Sequence, residues 1–345
     1  MIASIKNPII RKLILEKMFG EGKFMSLIKY NKKLQKIFDI TLTDYKNFIQ
    51  IIVDLFIIEP SKLKRSQNYF INFTKDRANY IIYFNDSNKK IEKNYFTPED
   101  KVNKITVKLN YHVDNLSELF YIKNYGGFTC CDCIKTIDFI LFNNKNIEDM
   151  SFMFYGCSAL NNIYLFKVHT EKVKNMSYMF YGCSSLDNLD LSNFNTEKVT
   201  NMFCMFSKCS SLTKIDLKQF NTKNVVNMGN MFESCGKLEQ LKNFNFTTNN
   251  TTNMSSMFEG CSSLSYINTS NFVTDKVYTF DYMFKGCVKL SLLDISGFRF
   301  NYNAEMREMF SGCDIILKEE MKKQNSHLKK EALWDEIEKH PPFRI

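Results

Sequence analysis

Hydrophobic and polar positions alternate with a fixed rhythm through the second half of the chain. The stretch from Leu186 to Leu191 alternates apolar and polar residues, which predicts a half-buried β-strand. A later stretch, "MFCMFSKC" from Met202 to Cys209, places its apolar residues at i, i+3, i+4 and i+7, the spacing of one helix face. Asn201 directly precedes it, where a side-chain oxygen is expected to cap the first helical turn. The pattern predicts units of one strand and one helix.

A column of cysteines gives the length of the unit, because each is 26 residues from the next. The cysteine column comprises Cys131, Cys157, Cys183, Cys209, Cys235, Cys261, Cys287 and Cys313. A period between 20 and 50 residues is typical of stacked repeats, in which each unit buries the apolar face of its neighbour. The predicted fold class is therefore an α/β repeat: a solenoid with a parallel strand face and a helical face, preceded by a small mainly helical module.

The unit combines L-x-x-L-x-L with N-M-x-x-M-F-x-G-C-S-x-L. In this it resembles the BspA-like leucine-rich repeat, in the 26-residue variant that is common in mycoplasma surface lipoproteins and in unicellular eukaryotes. The resemblance covers about half of the chain. It implies a leucine-rich-repeat solenoid, a binding rather than a catalytic role, and often a location on the cell surface.

The pattern divides the chain into five regions. They are a helical module at 1–58, a hairpin and linker at 59–104, a degenerate capping repeat at 105–130, seven repeats at 131–312, and a C-terminal helical cap at 313–345. The hairpin is predicted from the strand-like runs "NYFINF" and "NYIIYF". The cap is predicted from spaced Leu, Met and Trp among many Lys and Glu, with Pro341 and Pro342 ending its helix.

The first module, residues 1–58, orders a proline-led helix, a turn near Gly20 and a second helix ending in "NKKLQ". This order is similar to that of an F-box-like module, which binds an adaptor helix in ubiquitin ligases and often precedes leucine-rich repeats. The resemblance implies one alternative function, that of a substrate receptor in a ubiquitin ligase. A helical cap or an unrelated bundle is the plainer interpretation.

Composition adds an expected class and location. The 345 residues are 44% hydrophobic and 24% charged, as in folded soluble proteins, and the net charge is +9. No contiguous basic run or basic-aromatic module supports a nucleic-acid partner. The start lacks a signal-peptide pattern, and no apolar run is long enough to span a membrane. An intracellular, cytoplasmic location is expected, so a surface adhesin, the second alternative, would need export by an unrecognised route.

The repeated Met and Cys residues raise the question of metal or redox chemistry, since thioether and thiolate ligands suit Cu(I). They recur once per unit with Phe at core spacing, which favours packing. Cys130, Cys131 and Cys133 are dense, but no second pair of ligands completes a tetrahedral zinc set. No phosphate loop, nucleophile elbow or zinc-protease motif is present. The sequence therefore predicts no enzyme and no cofactor.

The remaining surface is the open strand face, where residues between the buried leucines point outwards and vary from unit to unit. The predicted partner-binding residues are Asn162, Tyr164, Asn188, Asp190, Lys214, Asp216, Gln240, Lys242, Tyr266, Asn268, Leu292 and Asp294. Solenoids bind partners on such extended surfaces. The mixture of charges and tyrosines favours a protein partner, whose identity the sequence leaves open along with the oligomeric state.

Overall fold

The structure is a computed structural model that describes residues 32, 36, 51–63, 65–72, 80–109, 115–124 and 127–333. The F-box-like pattern therefore lies almost entirely outside the described residues. Lys32 and Lys36 are helical, but residues 51–57 form a strand. The helical prediction for the first module is thus wrong at its end.

The described residues from 51 onwards contain eleven strands and one α-helix. The strands are β1 (Ile51–Ile57), β2 (Asn68–Tyr69), β3 (Tyr80–Phe84), β4 (Tyr95–Phe96), β5 (Lys104–Leu109), β6 (Tyr121–Asn124), β7 (Gly127–Cys130), β8 (Ile134–Phe142), β9 (Asn162–Tyr164), β10 (Lys214–Asp216) and β11 (Gln240–Lys242). The helix is α1 (Ile315–Gln324). Short 3-10 turns occur at Pro60–Lys62, Pro98–Asp100 and Lys330–Ala332.

Strand β1 lies at the centre of a five-stranded sheet with the order β3-β5-β1-β8-β9. Its sequence, IIVDLFI, is an almost continuous apolar run, which by itself does not distinguish a buried strand from a buried helix. Val53 and Leu55 are fully buried. Asp54 is accommodated by Lys104 at 2.9 Å and by the Thr106 hydroxyl, which donates to it at 2.6 Å.

The predicted hairpin between "NYFINF" and "NYIIYF" is wrong. Strand β2 pairs with β4, whereas β3 pairs with β5 in a register that places Ile82 opposite Val107. Apolar burial explains the choice, because Ile82 and Val107 are both buried in the main sheet. The segment predicted as a linker contains β4 and the 3-10 turn at Pro98–Asp100.

Strand β8 joins this sheet to the repeats. It pairs antiparallel with β1 and parallel with β9, where Ile137 lies opposite Ile163. The first repeat strand is therefore also the fourth strand of the N-terminal sheet. The N-terminal strands cover the side of the first unit that a preceding repeat would otherwise cover.

Successive units stack in parallel, with each residue beside the one 26 positions later. Parallel bridges join Asn175 to Asn201, Asn201 to Asn227, and Asn227 to Asn253. In the strand part of the unit, β10 and β11 pair in parallel with the same offset of 26 residues, and Lys214 lies opposite Gln240. The degenerate unit joins the stack through a bridge from Asn115 to Asp149, and the hairpin β6–β7 accommodates the extra residues between them.

The predicted helical face is absent from residues 131–312. Each "N-M-x-x-M-F" segment consists instead of consecutive turns, with Met179 N–H donating to Met176 O at 3.3 Å and Cys183 N–H donating to Phe180 O at 3.1 Å. Tyr178 has a φ of 58° and Gly182 a φ of 71°. An α-helix needs a negative φ at every residue, so these left-handed residues interrupt it each time.

The core between the strands and the turns is continuous from unit to unit. One phenylalanine per unit stacks on the next, with ring centroids 5.2 to 5.7 Å apart. These rings are Phe120, Phe154, Phe180, Phe206, Phe232, Phe258, Phe284 and Phe310. The apolar positions taken from the sequence as core, such as Met202, Met205 and Leu186, are fully buried.

The segment after Cys313 closes the far end of the stack. Helix α1 begins after Asp314, whose carboxylate accepts from Ile316 N–H at 2.8 Å, and it ends at Gln324. Phe310 N–H donates to Ala332 O at 2.7 Å, as it would to a following unit. The helix therefore ends well before the prolines predicted to stop it, which lie outside the described residues. No helix in the described part of the chain has the length and apolar character needed to cross a membrane.

Candidate functional site

The cysteine column is part of the core. Cys209 Sγ donates to Phe180 O at 3.1 Å, and Cys235 Sγ donates to Phe206 O at the same distance. Burial raises the pKa of the Cys209 thiol to about 12. The thiolate is the form that binds metals and attacks electrophiles, so burial suppresses both kinds of chemistry. Within the described residues, His, Cys, Asp and Glu form no group of three arranged to hold a metal ion.

The dense cysteines near the first repeat are also structural. Cys131 and Cys133 are both buried, and their thiols donate to Phe120 O at 2.7 Å and to Tyr69 O at 3.4 Å. Burial raises the pKa of the Cys133 thiol far above its ordinary value. The side chain of Cys130 lies outside the described residues. The two described thiols join the first repeat to the segments before it.

Buried threonines hold neighbouring units together through paired hydrogen bonds. Thr196 Oγ1 donates to Asn221 O at 3.0 Å and accepts from Asn221 N–H at 2.8 Å. Thr222 makes the same pair of bonds with Thr247, at 2.8 and 2.9 Å. These groups have their hydrogen-bonding capacity used inside the stack. The side chains that vary between units are therefore the exposed ones.

The structure places the predicted strand-face residues on the surface. All twelve are exposed except Asn268, which is half-buried. Tyr164, Tyr266 and Leu292 expose 50%, 51% and 62% of their surface, unusually large fractions for residues of this size. The alternation read from the sequence therefore separates inner from outer positions correctly along this face.

Four of the twelve residues have a structural role of their own. Each side-chain oxygen accepts from the backbone N–H two residues later, at 2.8 to 3.1 Å, and so closes a turn after the strand position. These residues are Asp190, Asp216, Asn268 and Asp294. The Asn243 side chain and Lys218 N–H hold the pKa of Asp216 below its usual value. The repeat thus requires these residues for its turn, whatever else they contact.

None of the other eight predicted residues, all of which lie in the described range 131–333, accepts a side-chain hydrogen bond from the N–H two residues later. They are Asn162, Tyr164, Asn188, Lys214, Gln240, Lys242, Tyr266 and Leu292. They change in size and charge from unit to unit, while the buried positions beside them stay apolar. These eight form the candidate partner-binding surface.

Two exposed residues at the start of the strand face were missed by the sequence pattern. Phe166 is 58% exposed and Ile140 is 40% exposed. The Lys167 ammonium lies 5.1 Å from the centre of the Phe166 ring and donates to Ile140 O at 2.7 Å, so all three residues are neighbours. A signal was available, because four other units have polar residues at the position of Phe166, and the fifth has Phe244, which is buried. The polar residues are Ser192, Lys218, Ser270 and Ser296.

A likeness to one solved structure accompanies this geometry. A leucine-rich repeat protein from Bacteroides ovatus is 17% identical over 59% of this chain and 69% of its own, with a TM-score of 0.20. At that score the likeness gives no basis for transferring structural detail. No curated protein matches the chain.

The family comparison agrees with the repeat motif. A family model described as "Mycoplasma protein of unknown function, DUF285" matches residues 114–244 and 237–331, which together cover more than half of the chain. The match begins at the degenerate unit and ends in the C-terminal cap. It supports the resemblance at the level of a mycoplasma-type, BspA-like repeat family. The chain belongs to the DUF285 family of mycoplasma-type repeat proteins.

Proposed function

We propose that this protein is a non-catalytic recognition protein, a continuous leucine-rich-repeat-type solenoid that binds a partner protein on its strand face. One observation carries the proposal. Eight exposed residues of that face differ from unit to unit and close no turn, while the core beneath them repeats. Variation that the repeat itself does not require is expected where a partner is recognised.

The chemistry of the interior supports a binding role. Burial keeps the Cys209 thiol protonated by raising its pKa, and the thiol donates to a backbone carbonyl, while the Thr196 hydroxyl bonds to the next unit. Recognition then depends on the outer side chains, among which Tyr164 and Tyr266 offer large apolar surface with a polar tip. Tyrosine is enriched among the residues that dominate protein–protein binding energies.

Affinity purification with mass spectrometry should identify a partner, and substitution should then place it on the strand face. A triple variant, Tyr164→Asn, Tyr266→Asn and Leu292→Asn, introduces a residue that other units already have at these positions. If two or three of these side chains each contribute about 1.4 kcal/mol to the binding free energy, the affinity of the variant should be lower by about a hundredfold or more.

A matched control changes equally exposed apolar residues elsewhere in the unit. Val226→Asn and Tyr278→Asn alter side chains that are 42% and 55% exposed at the start of the turn segment. This control should bind with unchanged affinity. Equal binding by the triple variant and the unsubstituted protein would contradict the proposal.

The substrate-receptor and adhesin alternatives and the cytoplasmic location stay predictions. An adaptor pull-down with the full chain tests the first, and microscopy tests the other two.

A further inference from the structure

Tyr164 occupies a position at which most units need a different residue. In four units an Asp or Asn at this position accepts the N–H that closes the next turn. A tyrosine has no oxygen within reach of that group, so its unit forgoes this stabilising hydrogen bond. Lys242 also departs from the rule, in a unit where the next residue, Asn243, has a left-handed φ of 53°. Folding of the unit therefore does not explain Tyr164.

Two further exposed apolar residues lie beside Tyr164. Phe166 is two residues later, and Ile140 shares with it the contact to Lys167. We call Ile140, Tyr164 and Phe166 the anchor patch. Its members are 40 to 58% exposed, although polar side chains would serve the fold at Tyr164 and Phe166. A cluster of this kind is typical of a protein interaction site.

The charges around Tyr164 indicate what the patch contacts. Asp138 lies opposite Tyr164 in the strand register, and Asp190 holds the equivalent position in the next unit of the stack. The strand half of that next unit, residues 183–196, contains Asp187 and Asp190 but no Lys or Arg. Tyr164 is therefore an exposed aromatic ring between carboxylates.

The nearby cation does not neutralise this arrangement at Tyr164. The Lys167 ammonium is bound to Ile140 O and lies over Phe166, on the other side of the patch. A cation above an aromatic ring and near a carboxylate gains from both contacts. Arginine suits such a place best, because its planar guanidinium stacks on a ring while it donates to carboxylates.

We infer that the anchor patch, with Asp138 and Asp190, binds an arginine-bearing apolar segment of the partner protein. This inference rests on the proposed function and names the chemistry of the partner at one end of the strand face. Tyr164 would stack on the guanidinium, and Phe166 and Ile140 would contact the adjoining apolar side chains.

Fluorescence anisotropy with the full chain tests the chemistry. Two labelled ten-residue peptides serve as probes, one alternating Arg with Leu and the other alternating Glu with Leu. The Arg peptide should bind, more tightly at 50 mM than at 300 mM NaCl, because salt screens exposed charges. The Glu peptide should bind at least tenfold more weakly. Equal affinity for the two peptides would overturn the inference.

Substitutions locate the binding. Tyr164→Asn with Phe166→Ser leaves the net charge unchanged and introduces residues that other units use at these positions, so the fold is retained. This double variant should bind the Arg peptide at least tenfold more weakly. Asp190→Asn keeps the oxygen that accepts from Ser192 N–H but removes the charge, so affinity should fall a few-fold with a weaker salt dependence.

Tyr278→Asn makes the same change at a 55% exposed tyrosine outside the strand face, so it is the control and should leave the affinity for the Arg peptide unchanged. An equal loss in this variant, or none in the double variant, would refute the assignment to the anchor patch. Suppose that an identified partner no longer binds the triple strand-face variant, whereas the double variant binds both that partner and the Arg peptide with unchanged affinity. The inference then fails while the proposed function stands. If the Arg peptide responds but no protein partner depends on the face, the proposed function fails.

Discussion

At the scale of single residues, buried polar groups act as links between units. Cys209 donates its proton to a carbonyl 29 residues earlier, and Thr196 exchanges two bonds with a residue 25 positions later. The period identifies these residues as buried. It does not reveal their hydrogen-bond partners, because each partner lies at an offset other than 26 residues.

The buried thiol of Cys209 should make the protein sensitive to alkali. Burial raises the pKa of Cys209 to about 12, whereas a thiol in an unfolded chain titrates near 8.5. The stability that the protonated Cys209 thiol contributes to the folded protein is thus fully present below about pH 8.5 and is lost as the pH rises towards 12. Cys209→Ser keeps a donor for Phe180 O but has no proton to lose in this range. The unfolding free energy of the variant should fall less steeply between pH 9 and 11, by about 1.4 kcal/mol per pH unit.

Urea unfolding at half-unit steps of pH measures this difference, and comparison of the two proteins cancels the titration of Lys and Tyr. Identical slopes would show that the thiol does not keep its proton in the folded state. The same comparison at about pH 5.5 to 7 is the internal control, since the thiol stays protonated in both states there and the slopes should agree.

At the scale of the unit, the sequence predicts positions better than conformations. The repeat length and the inner and outer positions follow from apolar spacing. A helix does not follow from this spacing. Turns with i→i+3 hydrogen bonds and left-handed residues place the same side chains in the core. At the candidate site, the recurring Asp190, Asp216 and Asp294 also look alike whether they serve a turn or a partner. Their constant place before a turn was the signal for the structural role.

The paired threonine bonds should be worth more than an average surface contact. Thr222→Val removes the hydroxyl and leaves Thr247 N–H and C=O without their partner, although the side-chain volume is nearly kept. Unpaired buried groups cost about 1 to 3 kcal/mol, so the free energy of unfolding should fall by that amount. Thr222→Ser, which keeps the hydroxyl, should lose less.

The exposed Thr213 offers a matched control, since Thr213→Val is expected to change stability by no more than about 0.5 kcal/mol. Urea titration with a fitted slope distinguishes a change in stability from a change in the unfolded state. A loss in Thr222→Val no larger than that in Thr213→Val would mean that the inter-unit bonds contribute nothing net.

At the scale of the molecule, the ends differ from the middle because each has only one neighbour. The N-terminal sheet covers one end through β8, and the segment from Asp314 to Leu333 covers the other. Between them, any unit resembles the next closely enough to take its place. The stack is therefore expected to tolerate the loss of an inner unit better than the loss of an end.

Deletion of residues 210–235 removes one whole unit and should leave a folded protein. Thr196 would then meet Thr247 in place of Asn221, and Phe206 would stack on Phe258 in place of Phe232, so each type of contact is re-formed. Truncation after Cys313 should be more harmful. It leaves the N–H groups of Glu308 and Phe310 without the carbonyls of Glu331 and Ala332 and exposes the last phenylalanine, at a cost of roughly 5 kcal/mol.

Thermal unfolding by circular dichroism and size-exclusion chromatography compare the two proteins. The unit deletion should melt cooperatively as a soluble species, whereas the truncated chain should melt at a lower temperature or aggregate through its uncovered core. A truncated chain as stable as the unit deletion would show that the last unit needs no cover, and that the segment after Cys313 has some role other than closing the stack.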